Sequence, residues 1–163
     1  MPQSVRLKEW FIGIAVVAGI AAGIAIAAQS ANSATLPESG TVYWSDGDSG
    51  RLANGVKFRL HNIDAPETGS LKQRGGAKCE VERVLGYDAK AAVLDLTRGK
   101  ALTVTQDYGP DRYKRRVVDL SLDGQDLATL LIDGGSHAFW DYDGGAPKPD
   151  WCAPQAPARL ASR

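Results

Sequence analysis

Hydrophobic and polar residues alternate strictly between Lys57 and His61. Phe58 and Leu60 are apolar, and the residues on either side of each are charged or polar. A period of two residues is typical of a half-buried β-strand. Pro66 cannot donate a hydrogen bond to a neighbouring strand, and it biases Ala65 towards an extended or turn conformation. The pattern therefore predicts that the strand ends there.

Charged residues cluster around the end of this predicted strand. Asp64 and Glu67 lie three residues apart, and Arg59 precedes Asp64 by five residues. Strict alternation would place Arg59 and Asp64 on opposite faces of the strand. A bend or bulge near Asn62–Ile63 is therefore required before the two side chains can share a pocket.

The remaining pattern predicts short strands, tight turns and helical segments. Apolar residues recur at helical spacing from Cys79 to Thr97, and Gly86 within them predicts two helical pieces. A shorter helix is predicted from Leu127 to Ile132. Further strands are predicted at 41–44, 51–52, 56–63, 101–106 and 116–122, with turns at 54–55, 108–111 and 123–124. This order is typical of a mainly β (α+β) fold, a small barrel with packed helices.

The first 34 residues differ in composition from the rest of the chain. An uncharged run of 18 residues extends from Phe11 to Ala28, and Arg6 and Lys8 precede it. As a helix the run would be about 27 Å long, close to the ~30 Å hydrocarbon core of a bilayer. A cleaved signal peptide and an uncleaved membrane anchor both fit, and the length favours the anchor. In either case the positive flank predicts export of the remainder, to the bacterial periplasm or cell exterior.

Beyond residues 1–34 we expect a folded domain at 35–145 and a Pro/Ala-rich tail at 146–163. The exported part carries 17 basic and 18 acidic residues. This balance excludes strong attraction of nucleic acid by the overall charge of the protein. Any contact with nucleic acid must therefore come from a local patch.

The exported part contains two cysteines, Cys79 and Cys152. The chain has no CxxC pair and only two histidines, which excludes zinc-finger ligation. In an oxidising compartment the two cysteines predict a disulfide. Closing a loop of that length stabilises a protein by roughly 4 kcal/mol in the chain-entropy model.

Acidic residues near the end of the central strand suit a hard cation. Carboxylate oxygens are the ligands of Ca²⁺ and Mg²⁺, and arginine recognises phosphate through two parallel hydrogen bonds. The sequence therefore indicates a phosphate-binding site, formed by Asp48, Asp64 and Glu67 together with Arg59. On spacing alone, Asp-x-Pro-Glu is also ordinary turn chemistry.

Three motifs in a characteristic order extend this interpretation. They are Asp46-Gly47-Asp48-Ser49, the stretch from Phe58 to Glu67, and Asp111-Arg112-Tyr113-Lys114-Arg115-Arg116. With them the chain resembles the thermonuclease (staphylococcal nuclease-like) family from about Thr41 to Trp140. The resemblance implies a five-stranded OB-type barrel with about three packed helices, in addition to the N-terminal apolar helix.

The resemblance also implies a role for each matching residue. The implied ligands of Ca²⁺, with Mg²⁺ as the alternative ion, are Asp48, Asp64 and the backbone carbonyl of Ala65. The implied catalytic residues are Glu67, which activates water, and Arg59 and Arg115, which hold the scissile phosphate.

Other positions are implied to contact the substrate. Arg112 and Tyr113 match positions that contact a neighbouring phosphate or the nucleotide. Tyr142, in a Tyr-Asp-Gly-Gly turn, is a candidate for stacking on a base. Lys114 departs from the family, which usually has glycine there. If that glycine serves a positive φ, the lysine is strained.

These residues predict a calcium-dependent phosphodiesterase that hydrolyses DNA, RNA or both. The protein is expected to be a monomer with nucleic acid as substrate, and to contact the membrane through residues 11–28 if the leader is uncleaved. The alternative is a catalytically weak or inactive OB-fold module that binds nucleic acid or protein. An EF-hand is excluded, because Gly50 and Lys57 stand where that loop needs acids.

Overall fold

The computed structural model describes residues 36–37 and 39–154. They form a curled mixed β-sheet with two α-helices. The strands are β1 (Ser39–Gly40), β2 (Tyr43–Trp44), β3 (Ser49–Arg51), β4 (Lys57–Leu60), β5 (Ile63–Asp64), β6 (Leu102–Pro110), β7 (Arg116–Leu122), β8 (Gln125–Asp126) and β9 (Ala138–Phe139). The helices are α1 (Glu80–Thr97) and α2 (Leu127–Asp133).

Strand order in the main sheet is β1-β6-β7-β4-β3-β2, with β8 added to β7. The pairs are antiparallel except for β4 and β7, which run parallel with Phe58 opposite Arg116. A separate antiparallel pair joins β5 to β9. The central strand of the sequence pattern, β4, thus has a partner on each side, β3 and β7, and the chain continues from its end into the small sheet of β5 and β9.

The predicted end of the strand at 101–106 was wrong. β6 continues to Pro110, and the turn lies at 111–114 instead of 108–111. The β6–β7 ladder shifts register between Val104 and Gln106 and again between Asp107 and Gly109. Such bulges allow a strand to continue through residues that would otherwise break the pairing.

One hydrophobic core lies under the sheet. Its centre is formed by large apolar side chains of β2, β4, β5, β7 and α2: Trp44, Phe58, Leu60, Ile63, Val118, Leu120, Leu122, Leu127 and Leu131. The Trp44 and Phe58 rings meet edge to face with centroids 5.2 Å apart. The inward alternation of β4 that the sequence predicted is confirmed, since Phe58 and Leu60 are almost completely buried.

α1 is one continuous helix of 18 residues, so the prediction of two pieces was wrong. Gly86 lies on its buried face, together with Glu82, Ala89, Val93 and Thr97, at the three- and four-residue spacing of a single helical stripe. A Cβ at Gly86 would come within 2.6 Å of the Glu67 carbonyl oxygen. The glycine therefore permits close packing of the helix on the loop after β5.

The described residues contain two helices instead of the three that the resemblance implied. After β9 the chain forms turns at 142–145 and 151–152, and the irregular stretch between them contains Pro147 and Pro149, which disfavour the interior of a helix. This segment is bonded to the start of α1, because Cys79 and Cys152 form the predicted disulfide, with Cα atoms 6.0 Å apart.

Among the described residues, no helix has the length and apolar character to cross a membrane. The predicted leader at 1–34, with its apolar run at 11–28, lies outside the described residues.

Candidate active site

A sharp bend between β4 and β5 positions the first part of the site. Asn62 has a left-handed backbone with φ of 53°, and Trp140 N donates to its carbonyl oxygen at 3.1 Å. The bend brings Arg59 Nη2 to 3.2 Å from Asp64 Oδ1. The bend required by the sequence pattern is therefore confirmed, and Arg59 and Asp64 share one pocket.

Asp48 reaches the same point from the loop between β2 and β3. Its Oδ2 lies 3.1 Å from Arg59 Nη2 and accepts a hydrogen bond from Ala65 N at 3.2 Å. The loop is held by Asp46, whose Oδ1 accepts from Ser49 N at 2.8 Å. It is also held by His137, whose Nε2 donates to the Gly47 carbonyl oxygen at 2.8 Å. Two acids, one from this loop and one from β5, thus converge on one guanidinium nitrogen.

The acids of this pocket are buried and lie close to one another. Asp64 is fully buried, and Asp48 is 5% exposed. Burial raises the pKa of Asp48, the charges of Asp64 and Glu67 raise it further, and the Arg59 guanidinium partly offsets these effects. Burial would lower the pKa of Arg59, but Asp48 and Asp64 together hold it above its ordinary value. A further positive charge is therefore favoured here.

Glu67 lies in the loop after β5, where α1 packs on its backbone. Its Oε1 accepts a hydrogen bond from Lys148 Nζ at 2.8 Å. We refer to Asp48, Asp64 and Glu67 as the carboxylate cluster. The same Lys148 Nζ lies 3.4 Å from Asp64 Oδ1, so this one ammonium group joins two members of the cluster.

Lys148 and Trp151 belong to the site, although the sequence analysis assigned them to the tail. Trp151 Nε1 donates to Asp64 Oδ2 at 2.8 Å. Burial would lower the pKa of Lys148, but the hydrogen bond to Glu67 and the charges of the acids hold it above its ordinary value. The sequence feature that could have revealed these two site residues is Cys152. Its bond to Cys79 brings the segment with Lys148 and Trp151 beside the loop on which α1 packs.

A second group of predicted residues lies in the turn between β6 and β7, at 111–115, which we call the arginine turn. Arg115 Nη2 and Nε lie 2.7 Å and 2.8 Å from Asp111 Oδ2. The guanidinium groups of Arg112 and Arg115 both lie near the Tyr113 ring, with Cζ atoms 4.8 Å and 5.4 Å from its centroid. Burial would raise the pKa of Asp111, but the hydrogen bonds from Arg115 lower it overall.

Lys114 in this turn has a φ of 62°. The sequence analysis identified this position as one where a positive φ would strain a lysine. A left-handed conformation costs about 1–2 kcal/mol for a residue with a Cβ.

The predicted stacking residue Tyr142 is 61% exposed. Its ring meets that of Trp140 edge to face, with centroids 5.1 Å apart. Arg59 Cζ in turn lies 5.3 Å from the centroid of the Trp140 ring. An aromatic surface thus leads from the carboxylate cluster to Tyr142.

The structure brings Asp48, Arg59, Asp64, Ala65 and Glu67 together and places Arg112, Tyr113 and Arg115 in the arginine turn. Arg115 directly precedes β7, which is the parallel neighbour of β4, the strand that carries Arg59. No hydrogen bond or ion pair connects the two groups within 36–37 and 39–154. Each group is held by contacts among its own residues, and the two are connected through the adjacent strands β4 and β7.

Comparison with known proteins agrees with this arrangement. A family model described as "Staphylococcal nuclease homologue" matches residues 57–148, more than half of the chain. The chain belongs to this family. The OB-type fold implied by the sequence is therefore confirmed, as a curled mixed half-barrel with two helices.

A relative of this staphylococcal nuclease homologue is known in rice. The chain is 31% identical over 99 residues to "Probable staphylococcal-like nuclease CAN1" of Oryza sativa subsp. japonica. The alignment covers 61% of the chain and 25% of the rice protein. The chain thus matches about a quarter of that relative's length.

The family is generally calcium-dependent, and the donor chemistry of this site fits a hard cation. Two buried carboxylates, from the β2–β3 loop and from β5, supply oxygens of the kind that Ca²⁺ takes as ligands. The described residues hold no group of three or more His, Cys, Asp or Glu side chains arranged around a metal position. The carboxylate oxygens are instead directed at Arg59, Lys148 and Trp151.

Proposed function

We propose that this protein is a calcium-dependent phosphodiesterase that hydrolyses nucleic acid. The observation that carries the proposal is the convergence of Asp48 and Asp64 on Arg59 Nη2, at 3.1 Å and 3.2 Å, beside Glu67. Membership of the family whose model matches residues 57–148 supports it. Asp48, Asp64 and the Ala65 carbonyl would hold the cation, with Mg²⁺ as the alternative ion.

The residues of this chain would divide the reaction as follows. Arg59 and Arg115 bind oxygens of the scissile phosphate and stabilise the charge that builds up on them in the transition state. Glu67 accepts a proton from a water molecule whose oxygen attacks phosphorus, and the P–O bond to the leaving sugar oxygen breaks. That oxygen takes up a proton from solvent, Glu67 returns its proton to solvent, and the family resemblance suggests a 3′-phosphate product. The cation held by Asp48, Asp64 and the Ala65 carbonyl would supply further positive charge at the phosphate oxygens.

Substrate binding would extend away from the scissile phosphate. Arg112 and Tyr113 would contact a neighbouring phosphate or nucleotide. Tyr142, exposed at the end of the aromatic surface, would stack on a base. We further propose that the protein is an exported monomer, anchored in the membrane by residues 11–28 if the leader is retained.

One observation favours a second candidate, a binding module without turnover. Glu67 and Asp64 are engaged by Lys148, and Arg115 by Asp111, so each proposed catalytic group already has a partner within the protein. A module would bind nucleic acid through the arginine turn and the aromatic surface without cleaving it.

Digestion of single-stranded DNA, duplex DNA and RNA by the full chain separates the two candidates. Each substrate is incubated with Ca²⁺, with Mg²⁺ and with a chelator. Glu67→Gln is compared with Glu80→Gln, which removes an exposed acid paired with Arg83. Cleavage that requires the ion and is lost only in Glu67→Gln supports the enzyme. Binding without cleavage under every condition supports the module and contradicts the enzyme.

A further inference from the structure

The segment from Lys148 to Cys152 crosses the carboxylate cluster and is fixed at its far end. Cys152 is bonded to Cys79, the residue that caps α1. Lys148 lies four residues before this bond, and its Nζ reaches Glu67 Oε1 at 2.8 Å and Asp64 Oδ1 at 3.4 Å. The disulfide thus keeps the segment that carries this ammonium group close to two acids.

The oxygens of Asp64 are the most fully occupied in the site. Oδ1 faces both Arg59 Nη2 at 3.2 Å and Lys148 Nζ at 3.4 Å. Oδ2 accepts from Trp151 Nε1 at 2.8 Å. A divalent ion that takes Asp64 Oδ1 as ligand must therefore displace one of the two cations that face this oxygen.

Lys148 is the donor best placed to leave. The Lys148 side chain is 30% exposed, whereas that of Arg59 is 16% exposed. Arg59 is also held by the carbonyl oxygen of Ile63 at 3.2 Å and lies over the Trp140 ring. A lysine ammonium is a compact charge on a flexible stem, and water can solvate it as it withdraws.

We propose that Lys148 is a tethered counter-cation that competes with the divalent ion for Asp64 and Glu67, and so determines the affinity of the site for that ion. This inference rests on the proposed function, because it requires an ion at the carboxylate cluster. Two cations that share the same carboxylates bind with negative coupling, which commonly amounts to a factor of about 5–150. The disulfide strengthens the competition, because a tether raises the effective concentration of the ammonium group.

Calorimetric titration of the full chain with CaCl₂ tests the inference without measuring activity. Lys148→Gln should bind Ca²⁺ on the order of tenfold more tightly than the wild type. Lys148→Arg keeps the positive charge and should stay close to the wild type. Lys100→Gln is the matched control, because Lys100 pairs with Asp123 on the surface, and its affinity for Ca²⁺ should not change.

Release of the tether provides a second measurement. Cys152→Ser should tighten Ca²⁺ binding in the same direction, and the double variant with Lys148→Gln should show little further gain. A merely structural role of the segment predicts weaker binding in Cys152→Ser, since a loosened site would lose ligand geometry.

The outcomes separate this inference from the proposed function. Equal or weaker Ca²⁺ binding by Lys148→Gln, with clear binding by the wild type, overturns the inference and leaves the calcium-dependent enzyme intact. Failure of every variant to bind Ca²⁺ overturns both. Binding by Lys148→Gln alone supports the inference in its strongest form.

Discussion

Asp64 shows how the site keeps a charge inside the protein. A buried carboxylate without partners would be severely destabilising, and Asp64 is fully buried. It is satisfied by Arg59, Lys148 and the indole of Trp151. Because these partners come from β4 and from the disulfide-linked segment, the position of one carboxylate depends on two distant parts of the chain.

Arg115 is the second arginine of the proposed phosphate site, and its contribution can be isolated. Arg115→Lys should lower kcat/KM on the order of 100-fold, because a lysine cannot form two parallel hydrogen bonds to one phosphate. The measurement is steady-state cleavage of single-stranded DNA with saturating Ca²⁺. Arg116→Lys is the adjacent control, since Arg116 pairs with Asp107, and it should retain nearly full activity. Equal losses in the two variants would contradict the assignment.

Lys114 offers a test of backbone strain. Lys114→Gly should raise the free energy of unfolding by roughly 0.5–1 kcal/mol, because relief of the left-handed conformation exceeds the added entropy of the unfolded chain. Urea denaturation measures the change. Lys114→Ala removes the same charge but retains a Cβ, so it should give no gain. A similar gain in both variants would show that charge, not backbone conformation, is responsible.

At the scale of elements, α1 supports the loop that carries Glu67. The contact depends on Gly86, since any Cβ there would lie 2.6 Å from the Glu67 carbonyl oxygen and 2.8 Å from that of Pro66. Both obstacles are backbone atoms, which cannot rotate away. The helix and the proposed base therefore form one packing unit.

Gly86→Ala should destabilise the protein by about 1–3 kcal/mol through overpacking, although alanine favours a helix more than glycine does. It should also reduce cleavage, because the loop with Glu67 must move. Gly134→Ala is the comparison: its nearest contact is the Leu130 carbonyl oxygen at 3.2 Å, and a smaller effect is expected. Thermal unfolding and the nuclease assay together check both variants. Unchanged stability in Gly86→Ala would show that α1 does not pack closely on this loop.

The sequence predicted those parts of the site that follow from local rules. The bend at Asn62 was predicted because strict alternation would place Arg59 and Asp64 on opposite faces of the strand. The strain at Lys114 was predicted because the family usually has glycine at that position. Gly86 was misinterpreted as a helix break, because the sequence does not reveal which backbone approaches a glycine. Lys148 and Trp151 were missed as site residues, since a Lys-Pro-Asp-Trp-Cys stretch has no periodicity, and only the tertiary disulfide brings it to Asp64.

At the scale of the whole molecule, His137 connects the loop of Asp48 to the region after α2. Its Nε2 donates to the Gly47 carbonyl oxygen, and its Nδ1 lies 2.8 Å from Ser136 Oγ. Burial lowers the pKa of His137, although the bond to Gly47 and the charges of Asp48, Asp64 and Asp46 partly offset this effect. The folded protein therefore keeps the ring neutral at a pH where the unfolded chain binds a proton.

Stability should consequently fall as the pH drops below about 6.5, the pKa of histidine in an unfolded chain. The unfolded state binds more protons in this range, so the free energy of unfolding decreases, by at most about 1.4 kcal/mol per pH unit from this one group. Well above pH 6.5 the histidine is neutral in both the folded and the unfolded state, so its contribution to the free energy of unfolding no longer changes with pH.

Denaturation of His137→Gln and the wild type between pH 7.5 and 5.5 measures this contribution. The raised pKa values of Asp46 and Asp48 act in the opposite direction in both proteins, so they cancel in the difference. His61→Gln removes the other histidine, and this variant should lose stability with falling pH as the wild type does. An identical slope in His137→Gln and the wild type would exclude His137 as its source.

The parallel pairing of β4 with β7 has a consequence for how the molecule is made. Phe58 lies opposite Arg116, and all of α1 and β6 intervene along the chain. Such a distant contact forms late, because a long loop must close before the pairing is rewarded. A nascent chain that ends at α1 already contains Asp48, Arg59, Asp64 and Glu67, whereas Arg115 and Lys148 are still to be synthesised. The acids and Arg59 are therefore made before Arg115 and Lys148, and the site is completed only when the last described residues are in place.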